Sequence, residues 1–190
     1  MGSFEYISVV ISIVLGLAIT HLLIGLVSMI QNRESTRVYW VHLLWVFNVI
    51  VYITQWWWAF HYWEKLDSWS MSDFNLLLIY SLMMAVIAGL LFPVHGFVTD
   101  YREFYYKQFR WFFALQFLWL SLDIVEVVVK ASYGLRAIPP DYFLLTIPLI
   151  LGFLAAVFVK NAKYHAFLVL VVFAWNFLYN VLVFVPIASS

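Results

Sequence analysis

Residues 4–30 read FEYISVVISIVLGLAITHLLIGLVSMI, and Glu5 is the one Asp, Glu, Lys or Arg among them. A transmembrane helix needs about 20 consecutive, mostly apolar residues to cross a hydrocarbon core of about 30 Å. A cleaved signal peptide would instead combine a basic start with a shorter apolar part. This stretch is longer than that and has no Lys or Arg before it. It therefore predicts a retained transmembrane helix.

Five further apolar segments follow, separated by short connectors with charges, Gly or Pro. The chain is 66% hydrophobic and 11% charged, whereas soluble domains are about 45–50% apolar and about 25% charged. Runs that are apolar nearly all round leave no side for water, and they are too long for barrel strands. We predict an all-α, polytopic bundle of six transmembrane helices, one domain over residues 1–190 without a soluble domain. The predicted helices are residues 4–30, 38–63, 74–98, 109–129, 142–159 and 164–187.

Several function classes lose support from composition and motifs. The chain has no cysteine and zero net charge, which excludes disulfides and thiolate chemistry and does not indicate nucleic-acid binding. P-loop, dinucleotide-binding, HExxH and GxSxG sequences are missing, so an enzyme is disfavoured. A membrane-embedded enzyme that uses Asp123 and Glu126 as an acid pair stays open, without a motif to support it.

The distribution of Lys and Arg predicts an orientation. Cytoplasmic loops carry an excess of these residues. The odd-numbered connectors, with the start of the fourth helix, hold seven of them, and the even-numbered connectors hold three. We therefore expect both termini outside the cytoplasm, in the inner or plasma membrane. The seven are Arg33, Arg37, Arg102, Lys107, Arg110, Lys160 and Lys163, and the three are Lys65, Lys130 and Arg136.

The fourth segment carries acids at membrane depth. Gln116, Asp123, Glu126 and Lys130 recur at helical spacing and share one face. An Asp near the centre of a transmembrane helix costs about 2.5–3.5 kcal/mol on insertion scales, so Asp123 needs either a partner or a raised pKa, because desolvation disfavours the carboxylate. Glu126 precedes Lys130 by four residues, which favours an ion pair. We interpret that pair as interfacial and Asp123 as the buried acid.

Other polar residues at suitable depth have two interpretations. They are either interhelical glue, at about 0.6–2 kcal/mol per hydrogen bond, or members of a polar pathway. In the second case amides would surround Asp123 on the outer side, and histidines, which titrate near neutrality, would continue the path inwards. Flux would then depend on pH. The pathway candidates are Asp123, Glu126, Gln55, Asn48, Asn176, Asn180, His21 and His95.

A stripe of small residues marks the first helix. Ser8, Ser12 and Gly16 are four apart, and such spacing lets helices approach closely. This predicted helix-packing face, together with the small size of the chain, predicts a homo-oligomer.

Three functions follow as hypotheses. The leading one is a channel-like or transporter-like pathway for protons, small ions or a small solute. The alternative is a non-transporting membrane subunit or anchor that docks a partner protein through residues 100–110. The third is an electron carrier with haem b between two histidines. Otherwise we expect no cofactor, and no metal site, because HxxxH and ExxH spacings do not occur.

Overall fold

A computed structural model describes residues 2–179 of the chain. Over these residues the protein is all-helical without a β-strand, which confirms the predicted all-α class. A short 3-10 helix, His61–Lys65, prolongs the second helix. The α-helices are α1 Ser3–Gln31, α2 Trp40–Phe60, α3 Met71–Gly89, α4 Tyr101–Ser132, α5 Tyr142–Phe158 and α6 Ala162–Tyr179.

Four helices of the described part are long and apolar enough to cross a membrane: α1, α2 with its 3-10 extension, α3 and α4. Large apolar side chains are exposed on their outward sides, as Leu17 is at 66%. Contiguous exposed apolar surface of this kind marks a membrane-facing or partner-facing side. α5 and α6 are apolar but shorter, and the 17 residues of α5 span about 25 Å at the helical rise. Four candidate spans support an integral membrane protein.

The third predicted helix, 74–98, is wrong at its C-terminal end, since α3 ends at Gly89. Pro93 has no N–H to donate and disfavours helical backbone at the residue before it. The start lies three residues earlier than predicted. The Ser70 hydroxyl accepts from the Asp73 amide, and the Asp73 carboxylate accepts from the Ser70 amide at 3.0 Å. This reciprocal cap satisfies two donors that a helix start otherwise leaves open.

The fourth helix begins two turns before the predicted residue 109. The Asp100 carboxylate accepts hydrogen bonds from the backbone amides of Arg102 and Glu103, at 2.8 and 3.1 Å. Arg, Glu and Lys are also good helix formers. The predicted connector contains these charged residues. Charged residues show where a helix leaves an apolar environment, but they do not show where the helix ends.

Helix neighbours are set by packing. α1 packs along α3, α3 along α4 and α4 along α5, while α2 contacts α6, α1, α3 and α4. The connectors 32–39 and 90–100 meet at one end, where the Arg37 amide donates to the Thr99 carbonyl at 2.7 Å, and Arg33, Arg37, Arg102 and Lys107 lie in or next to these connectors. We call this the basic end. The opposite end, with connections 61–70 and 133–141, is the acidic end.

The buried face of α1 lies one position away from the predicted small stripe. Its buried residues are Ile7, Ile11, Leu15, Ala18, Leu22, Gly25 and Met29. In the stripe, the hydroxyls of Ser8 and Ser12 bond to the backbone of their own helix, and Gly16 is exposed, with no atom within 4 Å of an added Cβ. The stripe is therefore turned away from the rest of the chain, and contact between copies stays a prediction.

Gly25 is the glycine of α1 that a close approach requires. A Cβ on Gly25 would lie 2.1 Å from Cγ of Phe92. The Phe92 ring, 2% exposed, therefore packs directly on the α1 backbone and holds the segment after α3 against the bundle.

Candidate functional site

Asp123 lies in α4 and is held by two tyrosines. The Tyr80 hydroxyl of α3 donates to Oδ1 at 2.7 Å, and the Tyr142 hydroxyl of α5 donates to Oδ2 at 2.6 Å. Both carboxylate oxygens thus accept short hydrogen bonds of the strong, charge-assisted kind. Because α4 packs between α3 and α5, each neighbour supplies one hydroxyl. The acid has partners, as expected, but they are phenols and not amides.

Glu126 and Lys130 form the ion pair that their spacing predicts. Lys130 Nζ lies 2.8 Å from Glu126 Oε1, and the Trp63 indole donates to the same oxygen at 2.8 Å. Glu126 is 1% exposed and Lys130 3%, whereas Asp123 is half-buried. The interpretation that Asp123 is the buried acid and the pair is not is therefore wrong, while the position of the pair at the membrane interface stays a prediction. The 3-10 helix after α2 brings Trp63 over the pair and closes it from water.

A third acid joins the helix ends nearby. The Tyr133 hydroxyl, directly after α4, donates to Asp73 Oδ1 at 3.1 Å. This hydrogen bond and the negative charge of Asp73 raise the pKa of Tyr133. We call the whole set the acidic network. Its members are Asp73, Asp123 and Glu126 with their partners Ser70, Trp63, Tyr80, Lys130, Tyr133 and Tyr142.

The predicted amide candidates come together elsewhere, between α2 and α6. Asn176 donates to Asn48 Oδ1 at 3.0 Å, and Gln55 donates to the Asn176 carbonyl at 3.4 Å. Asn48 also donates to the Val169 carbonyl at 3.4 Å. Asn180 lies outside the described residues. The structure thus separates the pathway candidates into an acid group on α4 and an amide group that joins α2 to α6.

The middle of the bundle contains polar atoms that have no partner. Gln116 is fully buried, and neither atom of its amide group makes a hydrogen bond. The indole nitrogens of Trp56 and Trp119 are likewise buried without a partner. Gln116 lines a cavity of about 10 Å³ between α2, α3 and α4. We call this the central seam, and its lining residues are Val49, Tyr52, Met84, Ile87, Gln116 and Trp119.

Aromatic rings connect the central seam to the acidic network. The Tyr80 ring lies 5.3 Å from Trp119 and 4.7 Å from Trp56, between ring centroids. The Tyr52 ring lies 5.1 Å from Trp119. Since Tyr80 also donates to Asp123, it belongs to both regions.

An apolar layer lies on the other side of Gln116, towards the basic end. Trp45 packs on Phe112 and Phe113, with ring centroids 5.2 and 5.4 Å apart, and Phe153 completes the layer. All four residues are at most 2% exposed. This aromatic layer separates the central seam from the histidines.

Three histidines bind backbone carbonyls at helix ends. His42 Nε2 lies 2.6 Å from the Leu91 oxygen, His21 Nε2 lies 3.3 Å from the Phe92 oxygen, and His165 Nε2 lies 2.7 Å from the Val159 oxygen. A carbonyl only accepts, so each of these nitrogens donates. The carbonyls follow the ends of α3 and α5, where helices leave acceptors open. These histidines therefore cap broken helix ends.

The same geometry bears on the remaining histidine candidate, His95, and on the haem hypothesis. His95 is exposed in the connection between α3 and α4. Haem ligation through Nε2 would require His21 or His42 to break its hydrogen bond to a backbone carbonyl. Within residues 2–179 no group of three or more His, Cys, Asp or Glu side chains could hold a metal ion.

The proposed docking segment, 100–110, is the first part of α4. Tyr101, Tyr105 and Phe109 are buried. Glu103 and Lys107 are exposed and form an ion pair at 2.8 Å. The segment thus shows a charged helical surface.

Sequence reasoning missed the partners of the acids. Tyr80, Tyr142 and Trp63 were not among the predicted site residues. A phenol or indole has a polar tip that usually finds a hydrogen-bond partner when buried, and Tyr80 lies six residues after the start of the predicted helix 74–98. Its depth was the signal that could have found it.

No protein-family model, curated protein or solved structure matches this chain. The chemistry of the site therefore has to be argued from the geometry of these residues alone.

Proposed function

We propose that this chain is an integral membrane protein that forms a path for protons. The observation that carries the proposal is Asp123, a carboxylate within the apolar part of α4 that bridges two tyrosine hydroxyls. Ionisable residues inside membranes mark proton relays and ion pathways. A carboxylate and a phenol can each accept and release a proton, so the Tyr80–Asp123–Tyr142 chain is a suitable relay.

Within the described residues, the size of the central seam favours protons over small ions and a small solute. The cavity of the central seam is about 10 Å³, close to the minimum space for one water molecule. A hydrated ion or an organic solute needs a wider passage. A proton moves along hydrogen bonds and needs no such passage.

The charges of the acidic network support Asp123 as the acid that carries protons. Lys130 neutralises Glu126 at 2.8 Å within the network. The partners of Asp123 are neutral hydroxyls. Protonation of Asp123 therefore changes the net charge of the relay without breaking a buried ion pair.

Proton flux into liposomes tests the proposal. Purified protein is reconstituted, a potassium diffusion potential is set with valinomycin, and internal pH is followed with a trapped dye. We expect wild-type protein to acidify or alkalinise the lumen faster than empty vesicles, and Asp123→Asn to fall to the empty-vesicle rate. Asparagine keeps the size and a hydrogen-bonding group but removes the exchangeable acid proton.

The matched control is Glu34→Gln, which neutralises an exposed acid in the connector after α1 and should leave the flux unchanged. Equal elution profiles and thermal unfolding of the variants exclude misfolding. The proposal is wrong if wild-type vesicles and empty vesicles show the same proton flux.

We further propose that α5 and α6 also cross, giving six spans with both termini outside the cytoplasm of the inner or plasma membrane. The excess of Lys and Arg at the basic end supports this orientation. The chain has no cysteine, so single-cysteine variants report topology without background. A membrane-impermeant maleimide should label Asp67→Cys on intact cells, but Glu34→Cys and Lys160→Cys only after permeabilisation. Labelling of Lys160→Cys from outside would contradict the six-span arrangement.

A second candidate is a membrane subunit that docks a partner. The exposed ion pair Glu103–Lys107 lies on a charged helical surface at the start of α4, which favours a polar contact there. Stoichiometric copurification of a protein, lost in a Glu103→Ala/Lys107→Ala variant, would support this candidate. Full function of Asp123→Asn in the same cells would then argue against the proton path.

A further inference from the structure

The central seam contains buried polar groups that make no hydrogen bonds. A buried amide without a hydrogen bond loses its solvation without compensation, and Gln116 leaves both its donor group and its acceptor in this state. Four other amide and carboxylate side chains of the bundle differ. Asn48, Gln55, Asp123 and Glu126 all have partners.

The residues that carry the unpartnered atoms lie near one another. Trp119 is one helical turn from Gln116 on the same side of α4, and both line the cavity. Trp56 lies beside Tyr80, whose ring also packs on Trp119 and whose hydroxyl donates to Asp123. Residues with unpartnered donors therefore follow one another from Tyr80 to Gln116.

The walls of the central seam allow it to widen. α2 and α4 face each other through side chains such as Tyr52 and Trp119, whose ring centroids are 5.1 Å apart. Met84 completes the wall from α3, and methionine adapts its shape readily because it is unbranched. In this conformation the cavity is too small to connect the unpartnered atoms.

The ligand that fits these atoms is water. Gln116 supplies two N–H donors and one acceptor oxygen, and each indole supplies one donor. Water both donates and accepts, and a bound water needs about two to four polar partners. A larger ligand would require displacement of buried rings.

We propose that the central seam is a hydratable site in which water binds Gln116 and the indole N–H groups of Trp56 and Trp119. We infer that this water extends the proton path from Asp123 to the aromatic layer. This inference rests on the proposed function. The Asn48–Asn176 pair then has a packing role, since its amide groups already bind each other.

Exchange of the indole N–H groups with heavy water tests the site. Protein labelled with ¹⁵N-tryptophan is reconstituted in liposomes and transferred to D₂O, and indole signals are followed by solid-state NMR. Single Trp→Phe variants assign the signals. Trp63 is the internal control, because its indole is fully buried but donates to Glu126 at 2.8 Å. We expect the Trp56 and Trp119 signals to decay at least about tenfold faster than the Trp63 signal, since exchange requires contact with water.

A Gln116→Leu variant tests the role of the amide. Leucine fills a similar volume but offers water no hydrogen bond, so exchange at Trp119 should slow towards the rate of Trp63 and proton flux should fall. The matched control is Leu118→Ile, an outward-facing position on the same helix, 52% exposed, which should change neither quantity.

The outcomes separate the two proposals. Slow exchange at Trp56 and Trp119 in wild-type protein, equal to that at Trp63, means that the central seam stays dry and overturns the site. Unchanged exchange in Gln116→Leu overturns the role of Gln116 as the water ligand. Fast exchange without proton flux above empty vesicles supports the hydrated site but overturns its place in a proton path.

Discussion

The acidic network and the central seam lie on the same face of α4, but they differ in whether their buried polar groups have hydrogen-bond partners. In the network Asp123 and Glu126 accept hydrogen bonds from α3, α5 and the 3-10 segment. Two turns earlier, Gln116 makes none. The difference teaches that helical spacing decides which side chains turn inwards, while neighbouring helices decide whether they find partners. α3 and α5 bring hydroxyls to Asp123, whereas the residues around Gln116 bring mostly hydrocarbon and ring faces.

The largest expected effect comes from breaking the buried ion pair. Lys130→Met leaves Glu126 buried without its cation, so we expect the free energy of unfolding to fall by about 3–5 kcal/mol. Steric trapping in mixed micelles measures this quantity. Lys107→Met is the matched control, because it removes an exposed i,i+4 pair with Glu103 and should cost at most about 1 kcal/mol. Equal losses would mean that the acidic network does not depend on buried charge.

A substitution that creates a steric clash outside both regions shows how much a packing defect lowers the free energy of unfolding. Gly25→Ala places a methyl group against the Phe92 ring, and we expect the free energy of unfolding to fall by about 1–3 kcal/mol. Gly16→Ala on the same helix meets open space and should be nearly neutral. Thermal unfolding in detergent compares the two. A neutral Gly25→Ala would show that the segment after α3 moves aside at no cost.

A substitution in the central seam should change the free energy of unfolding in the opposite direction. Gln116→Leu removes a buried amide that has no partner while the central seam is closed, and we expect the free energy of unfolding to rise by about 1–2 kcal/mol, within the usual desolvation penalty of such a group. The same micelle assay measures it. A loss of stability would mean that the amide is already satisfied while the central seam is closed, and the contrast between the two regions would disappear.

The smallest effect belongs to the amide pair between α2 and α6. A double-mutant cycle of Asn48→Leu and Asn176→Leu should give a coupling energy of about 0.6 kcal/mol, typical of hydrogen bonds between transmembrane helices. A value as large as the loss in Lys130→Met would instead place this pair with the acidic network as a main determinant of stability.

Part of the site could be predicted from spacing. The i,i+4 relation of Glu126 and Lys130 predicts their ion pair, and the depth of Asp123 predicts that it has a partner. Burial of the pair could not be predicted, because Trp63 covers it from a different part of the chain. Tyr80 and Tyr142 could not be assigned to Asp123 either, since the order of helices around the bundle is not encoded in the pattern of any one of them.

The end of α3 shows the same limit. Pro93 lies within the predicted third helix, 74–98, but a proline can either kink a membrane helix or lie beyond its end. Here the chain leaves the helix before Pro93, and the carbonyls of Leu91 and Phe92, which follow the helix end, accept hydrogen bonds from His42 and His21. The chain could therefore leave the helix at Gly89 without unsatisfied acceptors at these two residues.

Local sequence properties predict that the chain is helical and apolar enough for a membrane, because the hydropathy and length of a run depend on residues that are neighbours in the chain. They also predict which residues of α4 share a face, because helical geometry is local. The structure was needed to show that α4 lies between α3 and α5, that tyrosines hold Asp123, and that Gln116 has no hydrogen-bond partner. Those outcomes depend on contacts between residues far apart in the chain, and such contacts arise only when side chains of different helices pack together.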